Sequence, residues 1–173
     1  MSPGTFIITL LTLAVLPDAA LTPMRLVGGP ATVIAADTLV VADERVRLEA
    51  IDAPEADQTC RRADTRYACG AEAMQALRAR VQGGIVMCRI SGQDAAGGLV
   101  GVCRLADRTD LAEWLVLRGY ALADRRYSAQ YVVQEDHARQ ERAGLWAGQF
   151  VAPWDWRAGQ RLDERQDAST GRE

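Results

Sequence analysis

Hydrophobic and polar positions divide the chain into short blocks. Three β-like runs come first, Thr32–Ile34, Thr38–Val41 and Val46–Ile51, each rich in branched apolar residues and separated by brief polar breaks. A polar loop with Cys60, three arginines (Arg61, Arg62, Arg66) and Cys69 follows. Residues Ala71–Gln82 then change period. Ala73, Leu77 and Val81 recur every fourth position and Gly83-Gly84 ends the pattern, which predicts a helix. Ile85–Ile90 and Leu99–Leu105 read as two more strands joined by a turn at Asp94–Gly97. Thr109 is placed to cap a helix running through Arg118, with Gly119 past its end. Ser128 is placed to cap a third, through Ala143, with Gly144 beyond it. Trp146, Phe150, Trp154 and Trp156 then predict an aromatic segment packed back on the body.

The two ends differ from this pattern. Phe6–Leu16 is an uncharged apolar run, too short to span a bilayer and of the length of a signal-peptide core, so residues 1–20 are expected to be an export leader, cleaved or retained. From Ala158 the chain turns polar, and residues 158–173 are expected to form a disordered charged tail. About 130 residues remain between the ends, enough for one domain with one core. Five strands with a helix between the third and fourth match the order of an OB-type barrel, an α+β fold that is mainly β.

Composition narrows the chemistry. The formal net charge is -3, so no global basic field attracts nucleic acid, and any phosphate binding has to be local. All basic residues are arginine. The one histidine, His137, argues against Ser–His or Cys–His catalysis. The four cysteines, Cys60, Cys69, Cys88 and Cys103, lack C-x-x-C spacing. Their even number in an exported chain predicts two disulfides, with three connectivities open.

The stretch Ala35-Ala36-Asp37-Thr38, followed by Val46-Arg47-Leu48-Glu49-Ala50-Ile51-Asp52-Ala53-Pro54-Glu55, resembles the D-G-D-T … V-R-L-x-G-I-D-A-P-E pattern of the staphylococcal nuclease (thermonuclease) family. Further matches run through Gln58-Thr59-Cys60, Tyr67-Ala68-Cys69-Gly70, Gly119-Tyr120-Ala121, Tyr127-Ser128, Gly144-Leu145-Trp146 and Pro153…Trp156-Arg157. The resemblance covers residues 31–157. It implies a five-stranded OB barrel with about three helices and Ca²⁺-dependent phosphodiester hydrolysis of DNA or RNA by a monomer that is periplasmic or secreted. Residue by residue, it implies Asp37, Asp52 and the backbone carbonyl of Ala53 as Ca²⁺ ligands, and Glu55 as the general base. It further implies Arg47 as a phosphate-binding arginine, Tyr127 on the nucleotide pocket, and the pairings Cys60–Cys69 and Cys88–Cys103. Such roles suit the chemistry: a carboxylate activates water, and guanidiniums hold the phosphate and its developing charge.

Two departures weaken that expectation. Ala35 stands where the family has an acid, and Gly98 where the hairpin pattern D-x-Y-G-R ends in a second arginine. Losing such a donor costs ~2–4 kcal/mol of transition-state stabilisation. With Cys88 opposite Cys103, Gly98 is expected opposite Gln93 and Arg89 opposite Val102, which sets Arg89 roughly 13 Å along the strand, too far to substitute. Arg61, Arg62 and Arg66 are freer candidates. Two functions therefore stay open: a weakened nuclease, or an inactive binding and scaffold domain of the cell envelope.

Overall fold

The computed structural model describes residues 25–162, so the leader and residues 163–173 lie outside the described part. Five strands close a barrel in the order β1-β2-β3-β8-β7. β1 (Leu26–Ala35), β2 (Thr38–Val41) and β3 (Glu44–Leu48) form a meander, and β4 (Ile51–Asp52) leaves the barrel. A small hairpin of β5 (Cys60–Arg62) and β6 (Thr65–Tyr67) leads into α1 (Cys69–Val81). The long hairpin of β7 (Ile85–Gln93) and β8 (Leu99–Leu105) closes the barrel through an antiparallel β1–β7 seam and a parallel β3–β8 seam. Then come α2 (Leu111–Leu117), β9 (Leu122–Ala123), α3 (Val132–Gln140), a 3-10 turn (Gly144–Ala147) and α4 (Pro153–Arg157). The expected OB-type α+β architecture is present.

Several boundaries differ from the sequence reading. β1 begins at Leu26 because its first half, Leu26–Pro30, pairs with β7, while its second half pairs with β2. Gly28-Gly29-Pro30 looks like a break but is a strand changing partners. A Cβ on Gly28 would lie 2.2 Å from Met87 Sδ, so the exposed Met87 side chain lies across the bare glycine and would have to swing aside for a larger residue. The run expected over Val46–Ile51 is cut at Ala50, whose φ of 62° turns the chain out of the barrel. α2 is capped by Asp110, not Thr109; its carboxylate accepts from the Ala112 and Glu113 N–H groups. α3 starts at Val132, and Ser128 Oγ instead accepts from Gln130 N in the preceding turn.

Apolar alternation fills the barrel with Leu39, Val41, Val46, Leu48 and Val86, and Leu77, Leu111 and Leu115 seal its outside; all of these are inaccessible to solvent or nearly so. A second cluster joins Cys60, Cys69, Leu122 and Leu145 to Trp146, Phe150 and Trp154, which places the aromatic segment on the body as expected. Trp146 and Phe150 meet edge to face at 5.0 Å. Both expected disulfides form, Cys60–Cys69 and Cys88–Cys103, the latter between directly opposed residues of β7 and β8. Of the expected tail, residues 158–162 are described; Arg161 lies over the Trp156 ring at 3.7 Å and donates to the Trp156 carbonyl.

Candidate active site

The chain's exit from the barrel at Ala50 builds the site. β2 and β3 pair with Thr38 opposite Arg47, and Leu48 N donates to the Asp37 carbonyl at 2.8 Å, so Arg47 lies beside the Asp37 turn. β4 pairs with β9, Asp52 opposite Leu122, which brings the Asp124–Tyr127 turn against the same end of the barrel. Asp124 N donates to the Ala50 carbonyl at 2.9 Å and fixes that turn.

Glu55 is held by its backbone. The side chain of Gln58 is fully buried; its Oε1 accepts from Glu55 N at 3.2 Å and its Nε2 donates to the Val151 carbonyl at 2.7 Å. One amide thus ties the Glu55 loop to the segment that leads into α4. Gly70 backs the loop so closely that a Cβ there would come 1.7 Å from the Glu55 carbonyl oxygen.

The side chains converge on Asp52, whose carboxylate is fully buried. Arg157 grips it end-on, Nη1 to Oδ1 at 3.0 Å and Nη2 to Oδ2 at 2.5 Å, and the same Nη1 donates to Glu55 Oε1 at 2.7 Å. Arg47 bridges Asp37 (Nε to Oδ2, 3.3 Å) and Asp52 (Nη2 to Oδ1, 3.6 Å). Arg126 donates to Asp124 at 2.8 Å and reaches Asp52 Oδ2 at 3.5 Å. Hydrogen bonds that Arg157 donates to Asp52, with the one to Glu55 and both negative charges, raise its already high pKa against the opposing effect of burial. Asp124 is pushed up by burial, but the Arg126 hydrogen bonds and charge win and hold it below the usual carboxylate range.

Asp37, Asp52, Glu55 and Arg47 are therefore brought together, and Ala53 follows Asp52 in the buried start of the loop. Tyr127 is strongly exposed and lines a cleft of about 500 Å³ with Arg47, Glu49, Gly92 and Asp94. Sequence reading assigned no role to Arg157, Arg126 or Asp124. Only the Trp156-Arg157 match pointed at α4, and nothing in it said where that guanidinium goes.

The hairpin corrects the expected register. Cys88–Cys103 and Arg89–Val102 are opposed as expected, but a bulge between Ile90 and Gly92 shifts the remainder, so Gln93 faces Leu99 and not Gly98. Gly98 belongs to the turn, its N–H donating to Asp94 Oδ1 at 2.8 Å beside the Arg45–Asp94 ion pair. The bulge falls after Arg89, which keeps its place in the strand. Of the loop arginines, Arg61 is buried and reaches Gln149, and Arg62 stacks on Tyr67 and pairs with Glu72.

The donor set does not fit a calcium ion. Both Asp52 oxygens are held by Arg157. Asp37 accepts from Thr38 Oγ1 at 2.7 Å and from Arg47, and Ala35 offers no carboxylate. Among the described residues, no three acidic, histidine or cysteine side chains are grouped to hold a metal. Oxygen-rich calcium sites need six to eight donors facing one point.

A closed OB-type barrel carrying a carboxylate–guanidinium cluster at one end defines a nuclease-like domain. Residues 45–148 match the family model described as staphylococcal nuclease homologue, and the chain belongs to that family. It is 38% identical over 126 residues to the succinoglycan biosynthesis protein ExoI of Rhizobium meliloti (strain 1021), covering 70% of this chain and 65% of that protein. It is 31% identical over 148 residues to the probable endonuclease LCL3 of Schizophyllum commune, covering 73% and 50%. It is 29% identical over 154 residues to the probable staphylococcal-like nuclease CAN3 of Oryza sativa subsp. japonica, covering 87% and 38%. The chain thus spans less than two thirds of the length of each. The matched family segment ends before α4, so Arg157 lies outside it.

Proposed function

We propose that this domain hydrolyses phosphodiester bonds of single-stranded DNA or RNA. The observation that carries the reading is Glu55 held beside two partly exposed guanidiniums, Arg47 and Arg157, that share Asp52. Glu55 is 40% exposed, so its carboxylate faces water and can take a proton from it. The water oxygen bonds to phosphorus in line with the departing sugar oxygen. The phosphorus bond to that oxygen breaks, and the leaving oxygen takes a proton from solvent. Arg47 and Arg157 hold the non-bridging oxygens and stabilise the charge that grows on them. Tyr127, on the adjoining cleft, offers a ring for a base.

Two disulfides suit a compartment more oxidising than the cytosol, and we place the protein in the periplasm or outside the cell. The test is cleavage of labelled single-stranded DNA and RNA by the oxidised protein, with Ca²⁺ and with chelator, against Glu55→Gln. Cleavage lost in Glu55→Gln supports the reading, and the Ca²⁺ arm decides whether the calcium dependence implied by the family applies. A second reading, nucleic-acid binding without turnover, is favoured by Gly98 and Ala35. Retention of labelled strands without cleavage would establish it.

A further inference from the structure

We infer that Arg157 carries the positive charge of this site in the place of a bound divalent cation, and that with Arg47 it forms the pair that receives a phosphate group. The residues implied as cation ligands and base, Asp52 and Glu55, are the ones its guanidinium bridges, at 3.0 and 2.5 Å to Asp52 and 2.7 Å to Glu55. A cation and this guanidinium exclude each other, since both need the same oxygens.

Charge and geometry agree. Asp37, Asp52, Glu55 and Asp124 face Arg47, Arg126 and Arg157, so the cluster offsets most of its negative charge with its own side chains. Replacing Ala35 by an acid would deepen the negative charge and favour a cation. Its absence is consistent with internal neutralisation.

The pair is also spaced for a phosphate. Arg47 Nη2 and Arg157 Nη1 both touch Asp52 Oδ1, at 3.6 and 3.0 Å, so they lie about 6.6 Å apart at most. That separation sets the two guanidiniums side by side at one carboxylate, near enough for both groups to face one phosphate through hydrogen bonds of ~2.8 Å. A guanidinium has five N–H donors. Arg157 spends both Nη1 hydrogens, on Asp52 and Glu55, and one Nη2 hydrogen, on Asp52, and is 41% exposed, so its Nε–H and second Nη2–H remain for a ligand at the surface. α4 holds the group in place: Pro153 starts the helix, Trp156 is buried under it, and Gln58 ties its approach to the Glu55 loop.

This inference deepens the proposed site, but both halves of its test read binding and are independent of any turnover. Calorimetry with CaCl₂ on the oxidised full chain reads cation binding. The expected result is no saturation at about 0.1–1 mM, the range of extracellular calcium sites, and at least tenfold tighter Ca²⁺ binding in Arg157→Gln. Submillimolar binding by the parent, or equal binding by parent and variant, overturns it. Phosphorus NMR with inorganic phosphate in chelator reads the second half. Arg157→Gln is expected to weaken phosphate binding at least tenfold, and unchanged binding overturns the inference. Should Arg157→Gln fail to fold, Arg157→Lys is read in its place: it keeps the charge but loses the fork. Excluded Ca²⁺ with at least threefold weaker phosphate binding supports the assignment, and parent-like phosphate binding or submillimolar Ca²⁺ binding overturns it. Loss of cleavage in Glu55→Gln is a separate result, so failure of the hydrolase reading and failure of this one are told apart.

Discussion

Arg157 donates through both terminal nitrogens to Asp52, a contact between residues 105 apart in the chain. Asp52 is fully buried, so its charge depends on this pair together with Arg47 and Arg126. The contact closes the molecule: β4 leaves the barrel with Asp52, and the last helix returns to cover it.

Gln58 makes that closure possible from both sides. In Gln58→Leu, the Glu55 N–H and the Val151 carbonyl lose their partners while the volume is nearly kept. A loss of about 1–3 kcal/mol of stability is expected, typical of a buried polar group left unpaired. Urea unfolding measures it. Cleavage should fall as well, because Glu55 and α4 lose their common anchor; a variant as stable and active as the parent would contradict this role.

The Cys88–Cys103 bridge joins opposed residues of β7 and β8, within the hairpin that closes the barrel. Replacing both with alanine is expected to cost about 2–4 kcal/mol, the usual worth of such a loop closure. Thermal unfolding of the double variant should show a lower midpoint than the oxidised parent, with the fold retained at low temperature.

Hydrogen bonds from the Thr109 hydroxyl and N–H, and from Arg80, hold Asp107 down to about 2. A carboxyl lowered on folding contributes stability that is present above its unfolded pKa near 4 and is lost as pH falls through the folded value. Stability should thus drop between about pH 4 and pH 2, and the drop should be shallower in Asp107→Asn. Unfolding midpoints across that range give the comparison. Asp94, lowered chiefly by the Gly98 N–H, contributes in the same direction.

Gly98→Arg places a guanidinium where the family has its second arginine. A Cβ there would lie 2.7 Å from Arg45 Nη1, the mobile end of a long side chain that can withdraw. Cleavage is expected to rise about tenfold or more, short of the full worth of such a donor because Arg157 already supplies one. No change in kcat/KM would mean that the bulged hairpin points this position away from the phosphate.

Much of the fold is written locally. Alternating Val, Ile and Leu mark β2, β7 and β8, the fourfold recurrence of Ala73, Leu77 and Val81 marks α1, and the Asp52–Glu55 segment marks the acidic half of the site. These features depend on near neighbours, so a linear pattern reports them. The strands at β1 and Ala50 were less legible, because Gly28-Gly29-Pro30 reads as a break until β7 supplies a partner, and nothing local shows that Ala50 turns the chain outward.

The order of the barrel strands and larger helices, the family motif, and the identity of Asp37, Arg47, Asp52 and Glu55 as residues that meet at one site were thus determined by the sequence itself. The tertiary structure alone decided the β7 bulge that places Gly98 in a turn, the return of α4 with Arg157 onto Asp52, and the entry of Arg126 and Asp124 into the cluster. The physical reason is range: a buried carboxylate takes whichever guanidinium the closed barrel brings within about 3 Å, and that choice is made by packing across the whole chain rather than by any neighbouring residue.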